Sequence, residues 1–402
     1  MLDMTHSMAV NQTSHRHILV ITRTFFPCEG GIEEYMYNRC LQDPDRVVLL
    51  TANCTGAAEF DSQQLFPIYR WWFPTWLPTN AWGSTLKQLF NMIGAFVMVL
   101  RLYARYPFRS IEWGHGYDFP TLLLLTYLLP AQTFMYLHGK DVLCPLKLPV
   151  IQQLFKLTLK RLNGVICNSS FTEHYLRSRV SQPLITHIIN PTVRPAKFRL
   201  HESGNSLKKR RSHIRNNYTI CENATVLLSV GRLVKRKGFE RVIAHLPGLL
   251  AQGFDVHYII CGRGVMQAEL EALAQQLGVA DRVHFAGFVP DQALAHYYEA
   301  CDVFVMLTSF AGTASIEGFG IVYIEAGYFG KPVLATNLGG VMDAVHHEKN
   351  GLLVEPDDDK GIAHALLRLC RDPQLRERLG QTGRTLAQRP TPHRLIYRNA
   401  PQ

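Results

Sequence analysis

The sequence predicts an α/β protein made of two doubly wound, Rossmann-like domains that face each other across a cleft. Apolar runs rich in Val, Ile and Leu recur with helical segments between them, as expected of parallel strands buried on both faces. The 402 residues are enough for two such domains. A polar, basic stretch at 194–221 has no apolar periodicity and separates two sets of six runs.

The apolar runs predict the strands of both domains, in order along the chain. In the first half they are HILVITRTF, RVVLLTA, SIEWGHG, QTFMYLHG, GVICNSS and LITHIIN. In the second half they are TVLLSVGRL, VHYIICGRG, RVHFAGFV, VFVMLTS, PVLATN and GLLVEP. We therefore predict two Rossmann-like domains, at 1–198 and 199–402, with a linker at 199–221. The KKRR run in that linker is interpreted as a solvated loop, with a phosphate grip as the alternative.

Composition and charge indicate which classes of partner and which compartment suit the chain. The net charge of +10 and the pI near 9.2 favour phosphates, nucleic acid or an anionic membrane surface. Nine scattered cysteines without a CxxC pair indicate reduced core thiols in the cytoplasm. The first sixteen residues hold no apolar stretch of export-signal length.

Two apolar stretches and one aromatic stretch bear on whether the chain spans or contacts a membrane. The thirteen residues between Lys87 and Arg101, and the shorter run PTLLLLTYLLP, are too short to span a bilayer and are predicted to be buried helices. The aromatic stretch YRWWFPTWLP, at 69–78, has two interpretations. It covers the first domain's core, or it dips into a membrane interface beside basic groups.

A basic turn follows the strand TVLLSV in the second half. Arg232 and Lys237 lie five residues apart in GRLVKRKG, before a helix. Two cations and a helix start can converge on a diphosphate. A pair of surface charges is an equally good interpretation.

Two carboxylates lie in the apolar stretch SIEGFGIVYIEAG. Glu317 falls in a loop and Glu325 about one turn into the following helix. Burying an unpartnered carboxylate is costly, so the pair predicts polar ligands. Glu325 is placed to accept ribose hydroxyls and Glu317 a hydroxyl of a second sugar, while Gly318 and Gly320 let backbone N–H groups approach a ligand. Solvated helix charges are the alternative.

The first half carries candidate residues after two strands. Gly30 and Gly31 open the first helix, either to admit a phosphate or acceptor or simply to form a tight turn. The segment HGKD places His138 and Asp141 at the end of a strand, where ligands bind in sheets of this kind.

These stretches, in this order and over nearly the whole chain, resemble the retaining nucleotide-sugar glycosyltransferases of the GT-B fold, family four. The resemblance rests on GG in the first turn, HGKD, NSSFT, GRLVKRKG, GRG, VHFAGFV, CDVFVMLTS, EGFGIVYIEA, GKPVLATNLGGVMD and NGLLVEP. The long loop between Ser309 and Glu317, together with EGFGIVYIEA, leans toward the members that mannosylate phosphatidylinositol. The final residues lack the apolar aromatic segment by which such chains commonly return to the first domain.

The resemblance implies that the domain at 1–198 binds the acceptor and that the domain at 199–402 binds the nucleotide sugar. It also implies a role for each matching residue. Arg232 and Lys237 would hold the donor diphosphate and Glu325 the ribose, while Glu317 and the backbone of 318–322 would hold the transferred sugar and phosphate. The implied donor site comprises Arg232, Lys237, Val289, Glu317, Gly318, Phe319, Gly320, Ile321, Val322 and Glu325. The implied catalytic residues are His138, beside the reacting centre, with Glu317, Arg232 and Lys237. Val289 would lie near the base.

The implied function is transfer of a sugar from GDP-mannose or a UDP-sugar to a lipid or glycan acceptor, without a metal or cofactor. Partners would be the nucleotide sugar and the acceptor, with no nucleic acid, and the protein would be cytoplasmic or peripheral at the inner face of a membrane. A sugar-nucleotide epimerase and a non-catalytic nucleotide-sugar-binding protein remain alternatives. A dinucleotide oxidoreductase is disfavoured because CGRGVMQA lacks the third glycine. A glycosidase is disfavoured by the carboxylate spacing.

Overall fold

The computed structural model describes residues 17–28, 30–74, 76, 81–146, 148–198, 204–309, 317–389 and 391–397. The chain forms two compact units, one of Met1–Asn190 with Thr391–Gln402 and one of Pro191–Pro390. Each unit holds one parallel sheet with helices between its strands. The two doubly wound sheets confirm the predicted fold class.

The sheet of the first unit has seven parallel strands in the order β3-β2-β1-β4-β5-β6-β7. The strands are β1 Ile18–Ile21, β2 Val47–Ala52, β3 Ile68–Trp71, β4 Ser110–Trp113, β5 Gln132–Leu137, β6 Gly164–Cys167 and β7 Thr186–Ile188. All six predicted runs are strands. The added strand, β3, lies at the sheet edge and is only half-buried, so its sequence IYRW shows no apolar run.

In the described part of this unit, seven helices connect the strands: α1 Gly31–Leu41, α2 Ala57–Ser62, α3 Ala81–Arg105, α4 Phe119–Leu128, α5 Lys140–Leu143, α6 Pro149–Arg161 and α7 Ser170–Arg179. Right-handed crossovers place α1 and α2 on one face of the sheet and α3, α4, α6 and α7 on the other. The two apolar clusters divide in the same way. α3 differs from prediction, because it has 25 residues and presents much of its surface to solvent.

The second unit has six parallel strands in the order β10-β9-β8-β11-β12-β13. They are β8 Thr225–Val230, β9 Val256–Cys261, β10 Val283–Gly287, β11 Val303–Met306, β12 Val333–Thr336 and β13 Gly351–Val354. The helices are α8 Gly204–Asn217, α9 Phe239–Ala251, α10 Gln267–Gln276, α11 Asp291–Ala300, α12 Ile321–Tyr328, α13 Val341–Ala344, α14 Asp359–Arg371 and α15 Pro373–Ala387. All six predicted strands are present.

The domain junction differs from the predicted boundary at residue 198. Residues 191–198 belong to the second unit, because Phe198 is buried against the rings of Tyr298 and Phe329 there. The predicted linker is also largely helical, as α8. Arg211 of the KKRR run and Arg215 both pair with Asp302, at 2.9 and 2.7 Å. These two arginines therefore serve the second unit's own packing.

The end of the chain also departs from expectation. Residues 391–397 belong to the first unit and end in a short 3₁₀ helix, His393–Tyr397. His393 and Ile396 are buried, and Tyr397 packs edge-on against Phe134. Arg394 donates to Asp43 from its Nε at 2.6 Å. The segment is anchored by two apolar side chains and several polar bonds, which is why no long aromatic run marks it in the sequence.

Candidate functional site

The second sheet reverses its direction of growth between β8 and β11. From β8 the chain proceeds outward to β9 and β10, and then returns to β11 on the other side of β8. The loops that follow β8 and β11 therefore leave in opposite directions and open a crevice at the carboxyl ends of these strands. Apart from Val289, which follows β10, the predicted donor residues come from these two loops and from α12.

Glycines let the loops after β8 and β9 pack backbone against backbone. A Cβ at Gly262 would lie 1.9 Å from the carbonyl oxygen of Gly231, and one at Gly264 would lie 2.3 Å from that of Leu233. Gly262 also has a φ of +150°. Close backbone packing therefore explains why glycines stand in GRG. A bound dinucleotide is not needed to account for them.

A basic 3₁₀ turn at Lys235–Lys237 follows β8. It ends at Gly238, whose φ is +69° and where a Cβ would lie 1.9 Å from the carbonyl oxygen of Leu307. The Ser309 N–H donates to the Arg236 carbonyl at 2.9 Å. The turn is therefore held against the chain that follows β11.

Glu317 lies at the centre of this arrangement. Its Oε2 is 2.7 Å from Arg236 and 2.7 Å from Lys237 Nζ, and its carbonyl accepts from the Gly340 N–H at 2.9 Å. Burial would raise the pKa of Glu317, but the charges and hydrogen bonds of Lys237 and Arg236 lower it to about 2. The carboxylate is ionised at every physiological pH.

The structure brings Lys237 and Glu317 together, as the predicted site requires, and adds Arg236. Arg232 is exposed, and within the described ranges no ion pair is recorded for it. Arg236 was missed because it lies in a run of three cations, where only the folded turn distinguishes the inward side chains. The interpretation of Glu317 as a solvated helix charge is wrong.

Helix α12 begins at Ile321, immediately after Gly320 with a φ of +83°. The N–H groups of Ile321 and Val322 belong to the first helical turn, which has no acceptor within the helix. The Phe319 side chain is buried in the apolar core, so only its backbone is suited to contact a ligand. Val289, predicted near the base, is partly buried beyond β10.

Glu325 lies one turn into α12 and is 1% exposed. Its Oε1 is 2.6 Å from Lys197 Nζ, and its Oε2 accepts from the Tyr298 hydroxyl at 2.8 Å. Lys197 also lies 3.3 Å from Asp291. A carboxylate has about four acceptor positions, so the ribose role stays a prediction. Lys197 was missed because it lies more than a hundred residues before its partner.

The glycines that open α1 have no steric need inside the described chain. A Cβ at Gly31 would meet nothing within 4 Å, and one at Gly30 would meet only the end of the flexible Glu33 side chain. Gly30 has a φ of −178°, which any residue adopts. The tight-turn interpretation therefore lacks a structural requirement.

His138 follows β5, is half-buried, and has its Nε2 2.8 Å from the Gly114 carbonyl oxygen. Asp141 differs from expectation, because it is 1% exposed. Its two oxygens accept from the N–H groups of His138 at 2.8 Å and Gly116 at 2.9 Å. The Asp141 carboxylate joins the loops after β4 and β5 and does not line an open surface.

Two residues beside His138 were missed by the sequence analysis. His115 and Asp118 follow β4 at the first sheet's reversal point, with His115 Nε2 3.7 Å from Asp118 Oδ2. Burial, reinforced by the charges of Arg23 and His138, lowers the pKa of His115 to about 3. Burial raises the pKa of Asp118 to about 6. Their position directly after a strand, in WGHGYD, is the sequence feature that could have identified them.

Comparison with known proteins finds a family match within the second unit and relatives over nearly the whole chain. Residues 210–386 match the family described as Glycosyl transferases group 1. A GDP-mannose-dependent alpha-(1-6)-phosphatidylinositol monomannoside mannosyltransferase of Mycobacterium tuberculosis is 27% identical over 91% of this chain and 92% of its own length. A GDP-mannose-dependent monoacylated alpha-(1-6)-phosphatidylinositol monomannoside mannosyltransferase of Corynebacterium glutamicum is 26% identical over 92% and 93%.

Solved structures agree on the fold. Anabaena Alr3699/HepE in complex with UDP superimposes with a TM-score of 0.74 at 21% identity, covering 94% of this chain and 97% of that one. Together, the fold and the family match define a glycosyltransferase of the GT-B fold.

Proposed function

We propose that this chain is a retaining glycosyltransferase that moves mannose from GDP-mannose to a glycolipid acceptor of the phosphatidylinositol mannoside class. The two relatives named above, each aligned over more than nine-tenths of its length, support the donor and the acceptor. The observation that carries the proposal is the cluster of Arg236, Lys237 and Glu317 beside the start of α12.

The cluster suits a diphosphate as the leaving group. Lys237 and Arg236 both hold Glu317, and a diphosphate brings negative charge that competes for the same cations. Transfer of these cations to the diphosphate would free Glu317 to accept sugar hydroxyls. The first turn of α12 would add N–H donors and a favourable field as charge develops on the leaving group.

Retention of configuration is proposed from the state of the carboxylates. Among the described residues of the second unit's site, Glu317 and Glu325 are both paired with cations. In the proposed complex Glu317 binds sugar hydroxyls and Glu325 stays paired with Lys197, so neither carboxylate is assigned as a base or a nucleophile. The acceptor is then expected to attack on the face that the diphosphate leaves, where the leaving group itself takes the proton.

We further propose that the reaction proceeds in the cytoplasm or at the inner face of a membrane and needs no metal ion. Arg232, Arg236 and Lys237 supply the positive charge that a metal supplies at other diphosphate sites. The cationic composition of the chain supports contact with an anionic surface.

The test is turnover by the purified full chain with GDP-mannose, UDP-glucose, UDP-galactose and ADP-glucose, each with phosphatidylinositol monomannoside in mixed vesicles. We expect mannosyl transfer from GDP-mannose, an α-anomeric product by NMR, and an unchanged rate in EDTA. Transfer from a UDP-sugar alone would overturn the proposed donor, and a β-linked product would overturn retention. Release of nucleotide without any acceptor product would overturn the proposed acceptor.

A further inference from the structure

The exposed apolar residues of the first unit are concentrated on three helices. Twelve of the twenty-two large apolar residues that are exposed in the described chain lie on α3, α4 and α6. These three helices cover the same face of the sheet and share one apolar cluster beneath them. Exposed apolar residues scattered singly are ordinary, but a contiguous set marks an interaction surface.

On α3 the exposed apolar residues form one stripe. Its members are Trp82, Leu89, Ile93, Val97 and Leu100, which recur every three, four or seven residues as on one helix face. The opposite side of α3 packs on the sheet through Asn91, Ala95, Val99 and Leu102. The helix is apolar on both sides, and only one side has a partner within the described chain.

The stripe continues onto the neighbouring helices. Tyr127 of α4 is exposed, and the Arg161 guanidinium of α6 lies 3.7 Å from its ring centroid. Arg161 also donates to the Thr126 hydroxyl at 2.9 Å. On α6, Val150, Leu154 and Leu157 are exposed at helical spacing. The exposed sides of α3, α4 and α6 are called the apolar face below.

The charged residues on the three helices of the apolar face are all of one sign. The sequences of α3, α4 and α6 contain no Asp or Glu. Their charged residues are Lys87, Arg101, Arg105, Lys156, Lys160 and Arg161. A second copy of this chain would bring six cations against six in a symmetric contact, which is unfavourable. An anionic surface with an apolar interior is complementary to both properties.

We propose that the apolar face docks onto an anionic lipid bilayer, with α3 lying in the plane of the interface. Exposed Trp72 packs edge-on against Phe90 of α3, so an aromatic ring from the 69–78 stretch adjoins the face. Thr75, Leu77 and Pro78 of that stretch lie outside the described residues. The inference deepens the proposed function, because a glycolipid acceptor resides in such a bilayer.

The geometry favours lying on the membrane over crossing it. By length and composition, α3 from Trp82 to Arg105 is the one helix in the described ranges that could span a bilayer. Its inner stripe, however, is part of the sheet's packing, and buried Asn91 accepts from the Trp71 indole N–H at 3.1 Å. Inserting α3 across a bilayer would strip that side from the core.

The test is co-sedimentation of the full chain with vesicles of phosphatidylcholine alone or mixed equally with phosphatidylglycerol. We expect wild-type binding to the mixed vesicles and its reduction by salt. The double variant Ile93→Asp, Leu100→Asp should bind roughly tenfold more weakly or worse, because it places charge on the docking stripe. Lys156→Glu with Lys160→Glu should weaken binding at least about fivefold, and only to anionic vesicles.

The matched control is Leu65→Asp with Val265→Asp, two exposed apolar residues outside the apolar face. It makes the same charge change and should bind as wild type. Circular dichroism and nucleotide release from a soluble donor, without vesicles, would show that each variant is folded. That release also separates failure of docking from failure of the proposed function.

Wild type that stays in solution with anionic vesicles would overturn the proposal, as would unimpaired binding by Ile93→Asp, Leu100→Asp. A dimer seen by analytical ultracentrifugation and dissolved by this variant, without vesicle binding, would assign the face to a second copy instead.

Discussion

Replacing Lys237 with Met is expected to lower kcat/KM for the nucleotide sugar by roughly 10²–10³-fold, the effect of removing one preorganised charge from a developing anion. Lys237 is held 2.7 Å from Glu317, beside the first turn of α12. Its side chain is only 11% exposed, so solvent screens the lost charge weakly. Steady-state kinetics with a panel of substrate concentrations provides the measurement.

The matched control is Lys235→Met, which removes an exposed cation from the same 3₁₀ turn. It should leave kcat/KM within about twofold of wild type, since exposed charges contribute little. Equal losses in the two variants would mean that the turn acts only through its general positive field, and the assigned role of Lys237 would be wrong.

Replacing Arg39 with Met is expected to destabilise the first unit by about 3–5 kcal/mol, as found when one partner of a buried ion pair is removed. Arg39 of α1 is fully buried, donates to both oxygens of Glu112 on β4 at 2.8 and 2.6 Å, and lies 2.9 Å from Asp43. Its loss leaves two carboxylates under-compensated in the core. Denaturant unfolding followed by intrinsic fluorescence measures the change.

The pH dependence of the first unit's stability follows from the same contacts. Burial would raise the pKa of Glu112, but the charge and hydrogen bonds of Arg39 outweigh it and lower that pKa below its ordinary value of 4.5. A lowered pKa contributes stability that is present above pH 4.5 and is lost as the pH falls through the folded-state value. In Arg39→Met burial instead raises the pKa of Glu112, so the destabilisation should decrease as the pH falls and the unpaired carboxylate takes up a proton.

The control for this experiment is Arg109→Met, an exposed arginine on the same unit, which should change stability by no more than about 0.5 kcal/mol. A loss below about 1 kcal/mol in Arg39→Met would contradict the account of this network, since it would mean that the carboxylates are rehydrated without cost.

The sheets were predictable because buried parallel strands are continuous apolar runs, and twelve of the thirteen strands were found that way. β3 was missed because Arg70 interrupts it, and the partners of that charge, Asp61 at 2.8 Å and the Phe26 carbonyl oxygen at 2.6 Å, lie on other parts of the chain. α3 was mistaken for a short buried helix because charged Lys87 and Arg101 lie inside it. Local sequence does not show which side of such a helix faces solvent.

The candidate site was predictable where a residue type and its place after a strand coincide, as for Lys237 and Glu317. The sequence analysis missed Arg236, Lys197 and His115, because each is distinguished only by its partners in the folded chain. The prediction that Asp141 lies at a ligand-binding edge was wrong for the converse reason. A carboxylate after a strand suggests a ligand, whereas here it accepts two backbone N–H groups.

The most direct measurement is a crystal structure of the full chain with GDP bound. The diphosphate is expected within hydrogen-bonding distance of Lys237 Nζ and of the N–H groups of Ile321 and Val322, with Glu317 released from at least one of its two cations. A diphosphate bound elsewhere, with Arg236 and Lys237 still paired to Glu317 as they are here, would contradict the proposed donor site.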